Sequence, residues 1–240
     1  MFVGSLTTDQ ARAKMFRRQH HKDILKVLQS LNGDLLRDAE CFFGGGTAIV
    51  LDLDEYRESI DIDFLCSSKA GYRKLRQAVY GPQGMFGILS PYTEIKVLRE
   101  VQADQYGIRS FVGIENTKIK FEIVRESRID LVGKMDKRYG VPVLNRDCMY
   151  AEKLLANADR WSDKAVLSRD LIDLLIMQSR WQPIPQSAWE VAENAYGDTV
   201  RKAYDSAVEQ LSNESWLLKC MDKMDMDLGL KDEIVAQLVE

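Results

Sequence analysis

Between residues 60 and 65 apolar and polar side chains alternate, with Ile60, Ile62 and Phe64 set against Asp61 and Asp63 before the run turns apolar at Leu65. A period of two predicts a β-strand with one face in the core and two carboxylates on the other. Three further strands are expected over 94–102, 108–115 and 118–125; in the last, Ile119, Phe121 and Ile123 oppose Lys118, Lys120 and Glu122. A short apolar strand over 41–43 runs into Gly44, Gly45 and Gly46, after which Thr47 can open a helix reaching Leu53. Helical spacing marks 8–31, opened by a Thr7 and Gln10 capping box and stopped at Asn32-Gly33, and 69–80, opened by Ser67 or Ser68. The Gly81-Pro82 pair with Gly84 and Gly87 reads as a long loop. From Arg146 onward the alternation is gone, leaving helices broken at Pro183-Ile184-Pro185 and at Gly197. This layout predicts an α+β domain over residues 1–142, a mixed sheet flanked by helices, followed by a helical domain over 143–240.

A chain of 240 residues that is 45% hydrophobic can bury a sizeable core. Four dispersed cysteines without a C-x-x-C pair and only two histidines, adjacent at His20 and His21, offer no ready zinc site. The thiols read as reduced, which points to a cytoplasmic protein. No segment approaches the roughly 18 uninterrupted apolar residues of a membrane helix, so secretion and membrane spanning are not expected. The net charge of -4 argues against a uniformly basic surface and leaves room for a local one. Arg12, Lys14, Arg17, Arg18, His20, His21, Lys22 and Lys26 crowd the first helix. Lys69, Arg73, Lys74 and Arg76, with Tyr72 available for stacking, form a second cluster better placed to grip an acceptor or a nucleotide. Trp161, Trp181, Trp189 and Trp216 read as packing residues of the helical half, and Met221, Met224 and Met226 as a packing edge or a partner surface.

The chemistry concentrates in 41–65. Residues two apart on a strand lie about 6.6 Å apart and project to one side, so Asp61 and Asp63 repel unless a cation lies between them. Hard oxygen ligands suit Mg²⁺ (or Mn²⁺) shared with the phosphates of an NTP. The glycine turn supplies the other half, because amides without a Cβ in the way approach phosphate closely and the helix start adds its positive dipole end. Glu122 becomes a third metal-facing carboxylate if its strand lies beside that of Asp61. Asp170 and Asp173, three apart on an otherwise apolar helix, are costly to bury unpartnered; the plainer reading is that Arg169 and other basic neighbours pair them. The acids Asp52, Asp54 and Glu55 would repel an anionic nucleotide and are expected on a solvated loop.

The run Gly45-Gly46-Thr47-Ala48 with Leu51, followed by Arg57-x-Ser59-x-Asp61-Ile62-Asp63-Phe64, resembles the signature of the AbiEii-type nucleotidyltransferases, a branch of the polymerase β-like superfamily and often the toxin of a toxin-antitoxin pair. Lys118-Ile-Lys-Phe-Glu122, Glu152-Lys153-Leu, Arg160 and Arg169-Asp170-x-x-Asp173 are similar to its later motifs and follow in order as far as about residue 175. The resemblance implies that Asp61 and Asp63 bind metal, that Gly45, Gly46 and Thr47 cradle phosphates, and that Arg57 and Ser59 contact the triphosphate. It further implies that Lys153 neutralises phosphate charge and that Asp173, with Asp170 beside it, orients the nucleotide or assists the attacking hydroxyl. The expected reaction moves a nucleoside monophosphate from an NTP to RNA, most plausibly tRNA, in a toxin checked by a cognate antitoxin. A small molecule such as an antibiotic, or a protein hydroxyl, is the alternative acceptor, and a silent nucleotide-binding module the alternative class.

Overall fold

The computed structural model describes residues 16–91 and 93–238. Helix α1 (Gln19–Gln29) and the short α2 (Gly33–Asp38) precede strand β1 (Cys41–Gly44), which passes straight into α3 (Gly45–Asp52). Then come β2 (Asp61–Cys66), α4 (Lys69–Tyr80), β3 (Lys96–Ala103), β4 (Gly107–Ile114), β5 (Thr117–Arg125), β6 (Gly133–Asp136) and β7 (Val141–Leu144). The remainder is helical: α5 (Arg146–Arg160), α6 (Arg169–Arg180), α7 (Gln186–Tyr196), α8 (Thr199–Leu211), α9 (Glu214–Lys223) and α10 (Lys231–Leu238). The fold is α+β, as the alternation pattern implied.

One seven-stranded sheet runs in the order β3-β4-β5-β2-β1-β7-β6. The β2–β5 and β1–β7 pairs are parallel and the others antiparallel. In register, Gly44 lies opposite Asp63 on β2, and Asp63 lies beside Glu122 on β5. Central strands thus carry the acids, where the backbone is held from both sides. Behind them Phe43, Phe64 and Phe121 form a buried row with ring centroids 5.7 and 5.8 Å apart, extended by Tyr139. Helix α1 packs on β4 and β5, and α4 on β2 and β3. Helix α3 joins β1 and β2 to α5 and α6. Because α6 is apolar on every side from Leu171 to Met177 apart from Asp173, it is buried throughout that stretch.

Several boundaries move from their sequence expectations. The first helix covers Gln19–Gln29; its proposed start at Thr7 and Gln10, with Arg12 and Lys14, lies outside the described residues. The loop after Gly81 contains a 3₁₀ turn over Gly84–Ile88. Strands β6 and β7 were not expected: each has four residues, and Pro142 interrupts what would be the pattern. Helix α4 starts behind Ser68, whose hydroxyl accepts from the Gly71 amide at 3.2 Å, and α5 starts behind Asn145 in the same way. Among the described residues no helix is long and apolar enough to cross a membrane.

Candidate active site

The β1–α3 junction is built around a backbone that only glycine accommodates. Gly45 has φ +68°, and a Cβ there would come within 2.9 Å of the Asp63 carboxylate; at Gly46 it would meet the Arg57 guanidinium at 2.5 Å. Helix α3 begins at Gly44 without a side-chain cap and without an acid in its first turn. Its leading amides are therefore offered outward beside Asp63, which is the arrangement that receives an anion. Thr47 ties the two walls together, its Oγ1 donating to the Asp61 carbonyl at 2.6 Å and lying 2.7 Å from the Ser59 Oγ.

Asp61 and Asp63 share the half-exposed face of β2. Burial, then the Asp61 charge, pushes the Asp63 carboxyl up to about 6, against the pull of Lys120 and Lys153. Two carboxylates in mutual opposition at the edge of an anion-ready helix start are a donor set that a divalent cation would relieve. Among the described residues no group of three or more His, Cys, Asp or Glu side chains could hold a metal. The fit is to an ion that takes two protein carboxylates and completes its shell from substrate phosphate and water, the habit of Mg²⁺. Glu122, expected as a third ligand, reaches the right strand beside Asp63 but turns its carboxylate onto Arg109 (2.6 Å) and Lys120 (2.8 Å), which hold it below the ordinary range despite burial. It is engaged by cations here, not aimed at a metal.

Arg57, expected on the triphosphate, keeps its guanidinium beside Gly46 but commits its donors to a buried acid. It is 5% exposed and forms a two-pronged pair with Asp173, Nε to Oδ1 at 2.7 Å and Nη2 to Oδ2 at 2.8 Å. Asp173, fully buried, also accepts from the Tyr56 hydroxyl at 2.5 Å and pairs with Lys153 Nζ at 2.6 Å. Lys153 bridges to Asp170 at 2.9 Å, and Arg160 closes on Asp170 from outside at 2.6 and 2.9 Å. Burial works against both aspartates, yet Arg57 and Lys153 hold Asp173 low, and Lys153 with Arg160 holds Asp170 far below the carboxylate range. Three cations and two anions leave the network one positive charge in excess, and among them Lys153 lies close enough to Asp63 to favour its ionised form. Asp170 and Asp173 are thus paired by basic side chains, both directly by Lys153 and respectively by Arg160 and Arg57, rather than by the neighbouring Arg169 named in the plainer reading.

Two contributors escaped the sequence reading. His21 is buried between Glu55 and Ser59; burial lowers its pKa, so the neutral ring donates from Nδ1 to Glu55 (2.8 Å) and accepts the Ser59 amide at Nε2 (3.3 Å). Glu55, expected in solvent, is 4% exposed and also accepts the amides of Arg17 and Arg18, so α1 clamps the segment leading to Asp61. Its left-handed backbone, φ 55°, is the cost of that inward turn. The adjacent histidines were the only available signal, since His20 Nε2 lies 2.9 Å from the Ile60 carbonyl. Asp54 is exposed and Asp52 pairs with Arg138 and Arg146.

Beside Lys153, Glu152 sits against Glu126 and Arg128. Burial, then the Glu126 charge, pushes Glu152 up to about 8, whereas Arg128 keeps Glu126 low. A carboxyl raised in the fold contributes less stability as pH climbs from its ordinary 4.5 through 8. Glu152→Gln is accordingly expected to raise the melting temperature by a few degrees at pH 8, the difference vanishing near pH 4.5 in a thermal-melt series. A constant difference across that range contradicts the assignment.

A family model described as "Nucleotidyl transferase AbiEii toxin, Type IV TA system" matches residues 26–232, which includes the glycine turn, Asp61, Asp63, Glu122 and the network of Arg57, Lys153, Arg160, Asp170 and Asp173, with His21 just outside it. Among solved structures, a candidate nucleotidyltransferase from H. pylori is 17% identical, with 98% of this chain and 93% of that chain covered and a TM-score of 0.48. An antigenic nucleotidyltransferase-like protein from Paracoccidioides brasiliensis is 16% identical, with 85% and 94% covered and a TM-score of 0.47. No curated protein matches the chain.

Proposed function

We propose, from the premise that this chain belongs to the AbiEii family of nucleotidyl transferase toxins, that it moves a nucleoside monophosphate from an NTP to an RNA acceptor, tRNA, with Mg²⁺ or Mn²⁺ held by Asp61 and Asp63. The family makes the chain a nucleotidyltransferase and the toxin of a type IV toxin-antitoxin system. The observation that carries the finer reading is the uncapped first turn of α3 set beside two carboxylates that oppose each other's charge. When bound there, the cation would neutralise the triphosphate and the charge that develops on the departing pyrophosphate.

In this reading the amides of Gly45, Gly46 and Thr47 bind the triphosphate and Ser59 fixes the Thr47 hydroxyl. Lys153 supplies fixed positive charge next to Asp63, and Asp170 and Asp173 hold the ammonium in place. Arg57 and Asp173 act as positioning residues, because each is saturated by the other and buried. RNA is favoured over a cationic antibiotic because Lys120, on β5 directly beside Asp61, and Arg109, on β4 one strand further out, are each about two-fifths exposed. A cognate antitoxin is the expected partner.

The acceptor is tested by offering the purified protein each labelled NTP with Mg²⁺ against bulk tRNA, an aminoglycoside panel and a protein extract. Label entering tRNA supports the proposal. Label entering only a small molecule or a protein overturns the acceptor, and no label in any of them overturns the activity.

A further inference from the structure

The basic cluster after β2 has a shape that its sequence did not convey. Lys69, Tyr72, Arg73 and Arg76 of α4, Gln105 of the β3–β4 turn and Arg125 at the end of β5 line a cavity of about 330 Å³. Its lining holds four cations and no carboxylate, in a protein whose net charge is -4. Among the described residues Lys69, Arg73 and Arg125 enter no ion pair, and the Arg76 Nε is buried without a hydrogen-bond partner, its guanidinium lying over Tyr80. Asp104, whose carbonyl accepts from Tyr72, has its carboxylate consumed by the amides of Tyr106 and Gly107 and by Arg109. The twelve-residue helix α4 also begins here, with no acid in its first turn. Four unneutralised cations around one concavity repel one another and stand ready for a polyanion.

The strand register shows that this anion is not the triphosphate. Arg125 pairs with Cys66, three residues beyond the Asp63–Glu122 pair, which places it about 10 Å further along the strands and on the opposite face of the sheet. A ligand reaching both places must be extended. Tyr72 is buried and donates to the Asp104 carbonyl, so it offers no stacking platform for a base. Guanidinium forks at a helix start suit the oxygens of a phosphodiester and carry no base code. We infer that this cavity binds a backbone phosphate of the RNA acceptor, several nucleotides from the reacting end, and so selects a polynucleotide over a small acceptor. The inference rests on the RNA reading of the active site and adds a second anchor to it.

The test compares wild type with Lys69→Glu/Arg73→Glu, both exposed positions outside the active site. KM for tRNA is expected to rise about tenfold or more while KM for the NTP and kcat stay unchanged. The log-log salt dependence of tRNA binding is expected to weaken by about 1 to 2 in slope, one or two phosphate contacts having been lost. The milder Lys69→Ala/Arg73→Ala gives the same direction at smaller size and guards against misfolding. Wild-type transfer to tRNA with both variants unchanged in KM overturns the inference alone, whereas no wild-type transfer to RNA overturns the acceptor reading and the inference together. Competition by inorganic phosphate that the variants abolish, without any change in tRNA affinity, marks a small-anion site and overturns it. Retained tRNA affinity with loss of binding to an acidic partner protein does so as well.

Discussion

Asp63→Ala is expected to reduce nucleotide transfer by about a thousandfold or more, because a charge-stabilising centre in a phosphoryl-transfer site is worth several kcal/mol. The fold is expected to survive. Asp63 lies at the partly buried face of β2, and both burial and Asp61 oppose its ionisation, pushing the carboxyl up to about 6. Removing it relieves a local repulsion, so the melting temperature should stay level or rise slightly while activity disappears. That divergence is the mark of a group kept for chemistry at the expense of stability. A thermal melt and a transfer assay on one preparation check it, and an active Asp63→Ala protein contradicts the assignment.

Asp173→Ala carries the opposite signature, loss of both. Asp173 is fully buried and answers two buried cations, Arg57 and Lys153, together with the Tyr56 hydroxyl. Deleting it strands both cations out of water, and breaking a buried pair from one side costs about 3–5 kcal/mol. Unfolding midpoints should fall accordingly, and Asp173→Asn should recover only part of the loss, keeping the shape without the charge. Asp170→Asn should be milder, since its partner Arg160 is 37% exposed and can turn to solvent. The pH sense follows from the depressed carboxyls: their stabilisation is in place above the ordinary 3.8 and fades as pH falls toward their lower folded values. Denaturant titrations at pH 7 resolve these steps, and an Asp173→Ala midpoint equal to wild type contradicts the network.

The features legible in the sequence were those fixed by local rules. Alternation placed β2 and β5, and with them Asp61, Asp63 and Glu122 on one face. The three glycines located a turn that no side chain would tolerate. What stayed hidden depends on contacts distant along the chain. Arg57 meets Asp173 across 116 residues, and nothing at either position reveals which long side chain will claim which acid. The spacing of Asp170 and Asp173 marked them as needing partners, and the partners came from α5 and from the segment before β2. Glu55 looked like a solvent acid until α1 brought a histidine to it and the residues leading into α1 two amides. The short β6 and β7 carried too few residues for a period to register.

The central claim, transfer of a nucleoside monophosphate, is tested most directly by following two labels from one NTP. The purified protein is incubated with tRNA and Mg²⁺, once with NTP labelled at the α-phosphate and once at the γ-phosphate. Predicted is α-label in the tRNA and γ-label in pyrophosphate, both lost in Asp61→Ala. Label from the γ-phosphate appearing in the tRNA, or α-label transfer undiminished in Asp61→Ala, contradicts the account.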